Sequence, residues 1–168
     1  LTDPIGLDTA RPRLRWILTS ERRAQRQSAY QILVAGSEEE LKKDLGELWD
    51  SGKVASDQST QVAYGGRPLP SGQACWWKVR VWDQDGNPSE WSRPARWEMG
   101  LLSKADWSGK WIARTDEKAV HPAPLLRREF TVTGKIKRAR AYICGLGYHE
   151  LRLNGEKVGD HVLDPGAR

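Results

Sequence analysis

The sequence predicts an all-β chain: one complete β-sandwich followed by the opening of a second, incomplete one. Three observations carry this. Thr, Val, Tyr and Trp gather in short runs, the habit of pleated, half-buried segments. Gly and Pro number 16 and 9 among 168 residues while Met and Phe occur once each, which favours turns over long helices. Strand-like runs recur at short intervals with turn residues between them, the spacing of a sandwich of roughly 100 residues.

The elements follow in order. Residues 11–18, RPRLRWIL, set Leu14 and Trp16 on one face and Arg13 and Arg15 on the other, a half-buried strand. Residues 28–35, SAYQILVA, give a second strand with Tyr30, Ile32 and Val34 on one side. SEEELKKDLG (37–46) changes period: Ser37 and Glu40 form a capping box, Leu41 and Leu45 lie four apart, and Gly46 supplies the stop of a short helix. An Asp-Ser-Gly turn follows in LWDSGKVAS, then a strand in TQVAYGG (60–66) and a broken stretch through Gly65, Gly66, Pro68, Pro70 and Gly72. CWWKVRVWD (75–83) is the strongest strand, QDGNP (84–88) a turn, and ARWEMG (95–100) one more strand.

After Gly100 the texture shifts. LLSKADWSGKW (101–111) reads as a connector packed on its neighbours, and TDEKAVHPAP (115–124) as a loop. LLRREFTV (125–132) and KRARAYICG (137–145) read as strands, and YHELRLNGEKVGD (148–160) as a hairpin whose Asn154-Gly155 suits a two-residue type I′ turn. The last strand signal ends near Val162, ahead of a turn in LDPGAR. The predicted domains are 1–102 and 103–168. The second holds about four strands, too few to close a core, so the natural protein is expected to continue.

Composition narrows the function. The formal charge is +5, but the basic runs (Arg11, Arg13, Arg15; Arg22, Arg23, Arg26; Arg127, Arg128) are interrupted by acids, so a solvated mixed surface is favoured over nucleic-acid binding. No run approaches the ~18 apolar residues of a membrane span. No charged-then-apolar leader is visible, which leaves the compartment open and slightly favours the cytoplasm over periplasm or secretion. Cys75 and Cys144 fall in different predicted domains, so no disulfide is expected. His121, His149 and His161 lack ligand spacing, so no metal or other cofactor is expected.

The sharpest candidate for a site is CWWKVRVWDQDGNPSEWS (75–92), with four of the nine tryptophans. Alternation puts Trp77, Val79 and Val81 on a core face and Trp76, Lys78, Arg80 and Trp82 on the other. Trp91 and Trp97 are placed between Lys78 and Arg80 as cation–π partners, as structural stacking or as ligand contact. The pattern is similar to the Trp–Arg ladders beside the Trp-Ser motifs of cytokine-receptor domains, with only Trp91-Ser92 present. Asp50, Asp57, Asp83, Asp85, Glu90 and Asp164 sit at turns and read as turn formers rather than catalytic acids. GLGYHE (145–150) leads to a strand, so it is no nucleotide loop; Gly145 and Gly147 mark a bulge or close approach, and Tyr148 and His149 are candidates for a sugar-facing surface.

With PIGLDTARPRLRW, QSAYQILVA, LWDSGKV, WWKVRVWDQDG, EWSRPARWEMGLL, LRREF and GLGYHELRLNGEKVGDHVLDPG in this order, the chain resembles the N-terminal region of bacterial α-L-rhamnosidases. Cys75 stands where an aromatic residue is common and His149 where Tyr is. The resemblance implies a fibronectin type III/immunoglobulin-like sandwich, then the start of a jelly-roll-like one. It implies an inverting glycoside hydrolase that removes terminal L-rhamnose, with its acids on a later (α/α)₆ barrel. No position here matches those acids, so the catalytic set is none and the sugar-contact set is unassigned. The implied partners are that barrel, rhamnosylated glycosides and a second copy of the parent enzyme. The competing reading is a free-standing carbohydrate-binding or adhesion module.

Overall fold

The computed structural model describes residues 2–114, 123–160 and 164. The chain forms two compact units, Leu1–Ala113 and Arg114–Arg168. The first is built of β1 (Arg13–Leu14), β2 (Gln27–Ala35), α1 (Glu38–Lys42), β3 (Trp49–Asp50), β4 (Val62–Ala63), β5 (Ala74–Asp83) and β6 (Ala95–Glu98). β1 pairs with β4, and the other strands form a sheet in the order β3-β2-β5-β6, antiparallel throughout.

The core fills the space between these two sheets. Leu14 and Val62 come from the small sheet, and Tyr30, Ile32, Val34, Cys75, Val79 and Trp97 from the large one. The period of two in β2 decides this: Tyr30, Ile32 and Val34 face inward, while Leu33 and Ala35 face outward onto Leu41 of α1. The predicted strand at 11–18 shortens to a two-residue ladder, with Trp16 continuing the contact through its N–H to the Ser59 carbonyl. Trp16 packs edge-on against Tyr30, and its indole N–H donates to Gln27 Oε1 at 2.9 Å. The buried Gln27 amide then donates to the Ser56 and Gln58 carbonyls, so it ties β2 to the segment that leads into β4.

Tyr64 ties down the turn after β4. Its ring sits between Trp49 and Trp97, and its hydroxyl reaches the Leu48 and Arg67 carbonyls at 3.0 and 2.9 Å. Burial pushes its phenol up to about 12. Gly66 lies under it: a Cβ there would come 2.2 Å from the Leu48 carbonyl oxygen, so no other residue fits without moving backbone.

α1 starts as expected, with the Ser37 hydroxyl accepting the Glu40 N–H at 3.3 Å. Its stop differs from expectation. The left-handed residue is Asp44, φ 58°, not Gly46. Gly46 is required for space instead, because a Cβ would meet the Trp49 carbonyl at 2.6 Å. The helix therefore ends before Leu45, which is exposed, while Leu41 is buried.

The connector also departs from the sequence reading. A 3₁₀ turn at Lys104–Asp106 is closed by a capping box between Ser103 and Asp106, and Asp106 also accepts from Ser71. Trp107 and Trp111, expected to pack, are 42% and 69% exposed.

In the second unit β7 (Arg152–Leu153) and β8 (Glu156–Lys157) form the predicted hairpin. Asn154 and Gly155 have φ of 51° and 88°, the two positive values a type I′ turn needs. Gly145 makes the expected close approach, to the His149 ring; Gly147 has open space around it. The strands expected at 125–132 and 137–145 do not form among the described residues. A strand exists only by exchanging hydrogen bonds with a neighbour. No ladder is assigned to these segments among the described residues, and Leu125 and Phe130 are exposed. Most of the 115–124 loop, His121, His161, Val162 and the final turn lie outside the described residues.

Cys75 is fully buried and its thiol is pushed up to about 12 by burial, whereas Cys144 is exposed. A thiol-specific disulfide reagent at pH 8 is therefore expected to titrate Cys144 in the folded chain and both cysteines in denaturant. Release of two equivalents from the folded chain would contradict the packing.

Candidate functional site: the tryptophan and basic-residue face

The outer face of the large sheet is set by pairing register. Across β2 and β5, Gln31 faces Arg80, Leu33 faces Lys78 and Ala35 faces Trp76. Across β5 and β6, Trp76 faces Arg96 and Cys75 faces Trp97. Residues opposite one another in an antiparallel pair share a face. Trp76, Lys78, Arg80 and Trp82 thus stand on the outside as predicted, with Trp77, Val79 and Val81 turned to the core.

Trp91 enters this face and Trp97 does not. The segment Ser89–Ser92 runs beside β5, and its serines hold it: the Ser89 and Ser92 hydroxyls accept the N–H groups of Val81 and Val79, both at 3.1 Å. Their own N–H groups donate to the Val81 and Val79 carbonyls at 2.8 Å. This is the physical content of Trp91-Ser92: the serine closes the edge of β5, and the tryptophan is laid across the basic side chains. Trp97, by contrast, lies opposite Cys75 and is 2% exposed in the core. Of the two rings predicted between Lys78 and Arg80 only Trp91 is there, and Arg96 stacks separately on Trp76 at 5.5 Å.

The result is a continuous stack. Lys53 lies 4.6 Å from the Trp82 ring centre, Arg80 lies 5.0 Å from Trp82 and 4.7 Å from Trp91, and Lys78 lies 4.9 Å from Trp91. Arg80 is also clamped through Nε and Nη2 to Gln31 Oε1 at 3.0 and 2.7 Å. Lys78 is buried; its ammonium donates to the Leu41 carbonyl at 2.5 Å and to the Asp44 carboxylate. It therefore caps the last turn of α1 and fastens the helix to the sheet. Gln31, Asp44, Lys53 and Ser89 are the members that the sequence reading missed.

Asp83 and Asp85 occupy the turn assigned to them, whereas Glu90 lies in the Ser89–Ser92 segment beside β5. Asp83 accepts the Asp85 and Asn87 N–H groups at 2.9 and 2.8 Å, and the Asn87 backbone bond first of all holds its carboxyl below the usual range. Asp50 accepts from Gln31 and from the Gly52 N–H, both at 2.8 Å, and Asp85 faces Arg22 at 3.6 Å. In the second unit Tyr148 is 63% exposed, and His149 bridges to Asp164 through its backbone N–H at 2.8 Å. Glu150 is held below the ordinary carboxylate range by its hydrogen bond from Arg152. Among the described residues no group of three His, Cys, Asp or Glu side chains could hold a metal ion, and no helix is long and apolar enough to cross a membrane.

Two families match the chain: "Rha78A-like, N-terminal immunoglobulin domain" over residues 1–103 and "Alpha-L-rhamnosidase N-terminal domain" over residues 134–168. The chain is 38% identical to an α-L-rhamnosidase of Formosa agariphila over 98% of its own length and 20% of that protein's. It is similar to the crystal structure of Streptomyces avermitilis α-L-rhamnosidase complexed with L-rhamnose, at TM-score 0.64 and 50% identity, over 67% of this chain and 11% of that one. The α-L-rhamnosidase structure from Aspergillus terreus aligns with 99% of this chain and 19% of its own, at TM-score 0.70 and 26% identity. The chain thus spans about a fifth or less of the relatives it matches.

The stack makes a graded stability prediction. Lys78→Ala removes the buried ammonium that ties α1 to the sheet, together with its packed stem, and should cost about 3 kcal/mol in urea unfolding. Arg80→Ala removes two partly exposed cation–π contacts and should cost about 1 kcal/mol. Equal losses, or the reverse order, would show that the buried ammonium is not the dominant contact.

Proposed function

Because the chain belongs to the Rha78A-like N-terminal immunoglobulin domain family of α-L-rhamnosidases, we propose that it is a non-catalytic accessory part of such an enzyme. In this reading the parent protein removes terminal L-rhamnose by inversion, with its two acids on another domain. This part supplies shape and packing: an immunoglobulin-like sandwich at 1–102 and the first strands of a jelly-roll-like domain at 103–168. Its partner is the rest of a rhamnosidase polypeptide, including the catalytic barrel, and the parent enzyme's self-association is a further role for these domains.

The observation that carries the proposal is how the outer face uses its side chains. Lys53, Trp82, Arg80, Trp91 and Lys78 stack on one another, Arg80 is clamped by Gln31, and Lys78 is tied to α1. Aromatic rings already covered by cations offer little surface to a sugar. The Asp50 and Asp83 carboxylates accept backbone N–H groups, so they too are engaged in holding the fold.

The isolated 168-residue chain is expected to leave an aryl α-L-rhamnoside unhydrolysed. Turnover that persists through rigorous purification, and is lost on mutating a carboxylate of this chain, would overturn the proposal. A second reading, sugar contact in the second unit, rests on the exposed Tyr148 ring. Titration with L-rhamnose is expected to quench or shift aromatic signals if that reading holds; no change at millimolar sugar would remove it.

A further inference from the structure

The ladder between β2 and β5 is irregular at one end. Gln27 pairs with Asp83 and Ala29 with Trp82, so Ser28 is an extra residue and the strand bulges there. Beyond the bulge, the loop of residues 18–27 and the turn of residues 83–89 enclose a cavity of about 510 Å³. That size falls within the ~300–1,000 Å³ range of small-molecule sites. Ala24 in its wall has a φ of 63°, a left-handed conformation that costs an L-residue and that gathers at ligand sites.

The lining divides by chemistry. Leu18, Val81 and Pro88 give an apolar wall, while Thr19, Gln25 and Arg26 bring donors and acceptors. Gln25 Oε1 is out of water and has no hydrogen-bond partner among the described residues, so a donor is missing. Arg26 makes no ion pair or side-chain hydrogen bond among the described residues. Arg22 reaches Asp85 at 3.6 Å, and Asp83 Oδ1 is filled by the N–H groups of its own turn. Two guanidiniums are thus matched by two carboxylates, and the neighbouring Glu21 and Arg23 cancel as well.

From this we propose that the cavity is a binding site for a neutral sugar unit. Balanced charge gives an ion no advantage there. An apolar wall beside an unused donor and an unused acceptor matches a pyranose, which has a C–H face and vicinal hydroxyls. One hydroxyl donates to Gln25 Oε1 as the amide turns into the cavity, its neighbour accepts from Arg26, and the C–H face lies on Leu18 and Pro88. This mode needs no open aromatic face, so the cation-covered rings of the outer sheet do not oppose it. The site lies within the first unit and is independent of the accessory reading, whose test is turnover rather than binding.

The test is titration of the isotope-labelled 168-residue chain with L-rhamnose, D-glucose and D-glucuronate, followed by amide NMR shifts. L-Rhamnose or D-glucose should bind saturably in the millimolar range, with shifts confined to residues 18–28 and 81–89. The affinity should be the same at low and high salt, and D-glucuronate should bind no more tightly than D-glucose. Arg26→Ala and Gln25→Leu should each weaken binding about tenfold, the loss of one ligand hydrogen bond. Arg26 is exposed, so its variant should keep the native spectrum even if Gln25→Leu disturbs the loop. The absence of saturable shifts with both neutral sugars overturns the proposal. So do shifts centred on other residues, Tyr148 included, tighter binding of D-glucuronate, or an affinity that Arg26→Ala leaves intact.

Discussion

The Lys78 ammonium sits between the Leu41 carbonyl, the Asp44 carboxylate and the Trp91 ring, and only one register of β5 can put it there. A slip of one residue would turn Lys78 into the sandwich and bring Cys75, Trp77 and Val79 out to the helix. The attraction and the desolvation of this cation work together. Away from α1 it would be a buried charge with no acceptor, so the sheet, the helix and the Ser89–Ser92 segment must assemble around it in one arrangement. Register here is specified by a polar contact as much as by the apolar core.

That register sorts the tryptophans. Trp97 joins Tyr64 and the core because it lies opposite Cys75, and the neighbouring Arg96 stacks on Trp76 because it lies opposite it on the outer face. Trp91 belongs to no named strand, yet it completes the stack because two serines fasten its segment to β5. The outer face is therefore a layer of the fold. Its cations lie on ring faces and an amide oxygen of the same domain.

Much of this could be read from residue order. The β2 and β5 alternations, the Ser37 cap and the Asn154-Gly155 turn are local rules, and each acts over a few residues. Trp97 was out of reach because its face depends on which β6 residue meets Cys75, and the turn from Asp83 to Ala95 does not fix that parity. Asp44 was missed as the helix stop because glycine dominates that role, while aspartate adopts left-handed backbone less often. The segments 125–132 and 137–145 have strand composition, but composition cannot provide the neighbour that a ladder requires. The stack's hidden members, Gln31 and Lys53, carry no motif; only the folded sheet brings them to Arg80 and Trp82.

The hairpin of β7 and β8 has a consequence in time. Its strands are joined by two residues, so its first contacts close almost no loop, and such hairpins form within about 1–10 μs. The sheet centre is the opposite case. Gln31 and Arg80 are 49 residues apart, and Lys78 must find Leu41 across 37. Closing those loops comes before any reward from the stack, which places them late in the assembly. The chain therefore carries two clocks: a fast one set by the local closure of the hairpin, and a slow one in the first unit that runs until the buried ammonium reaches its acceptors.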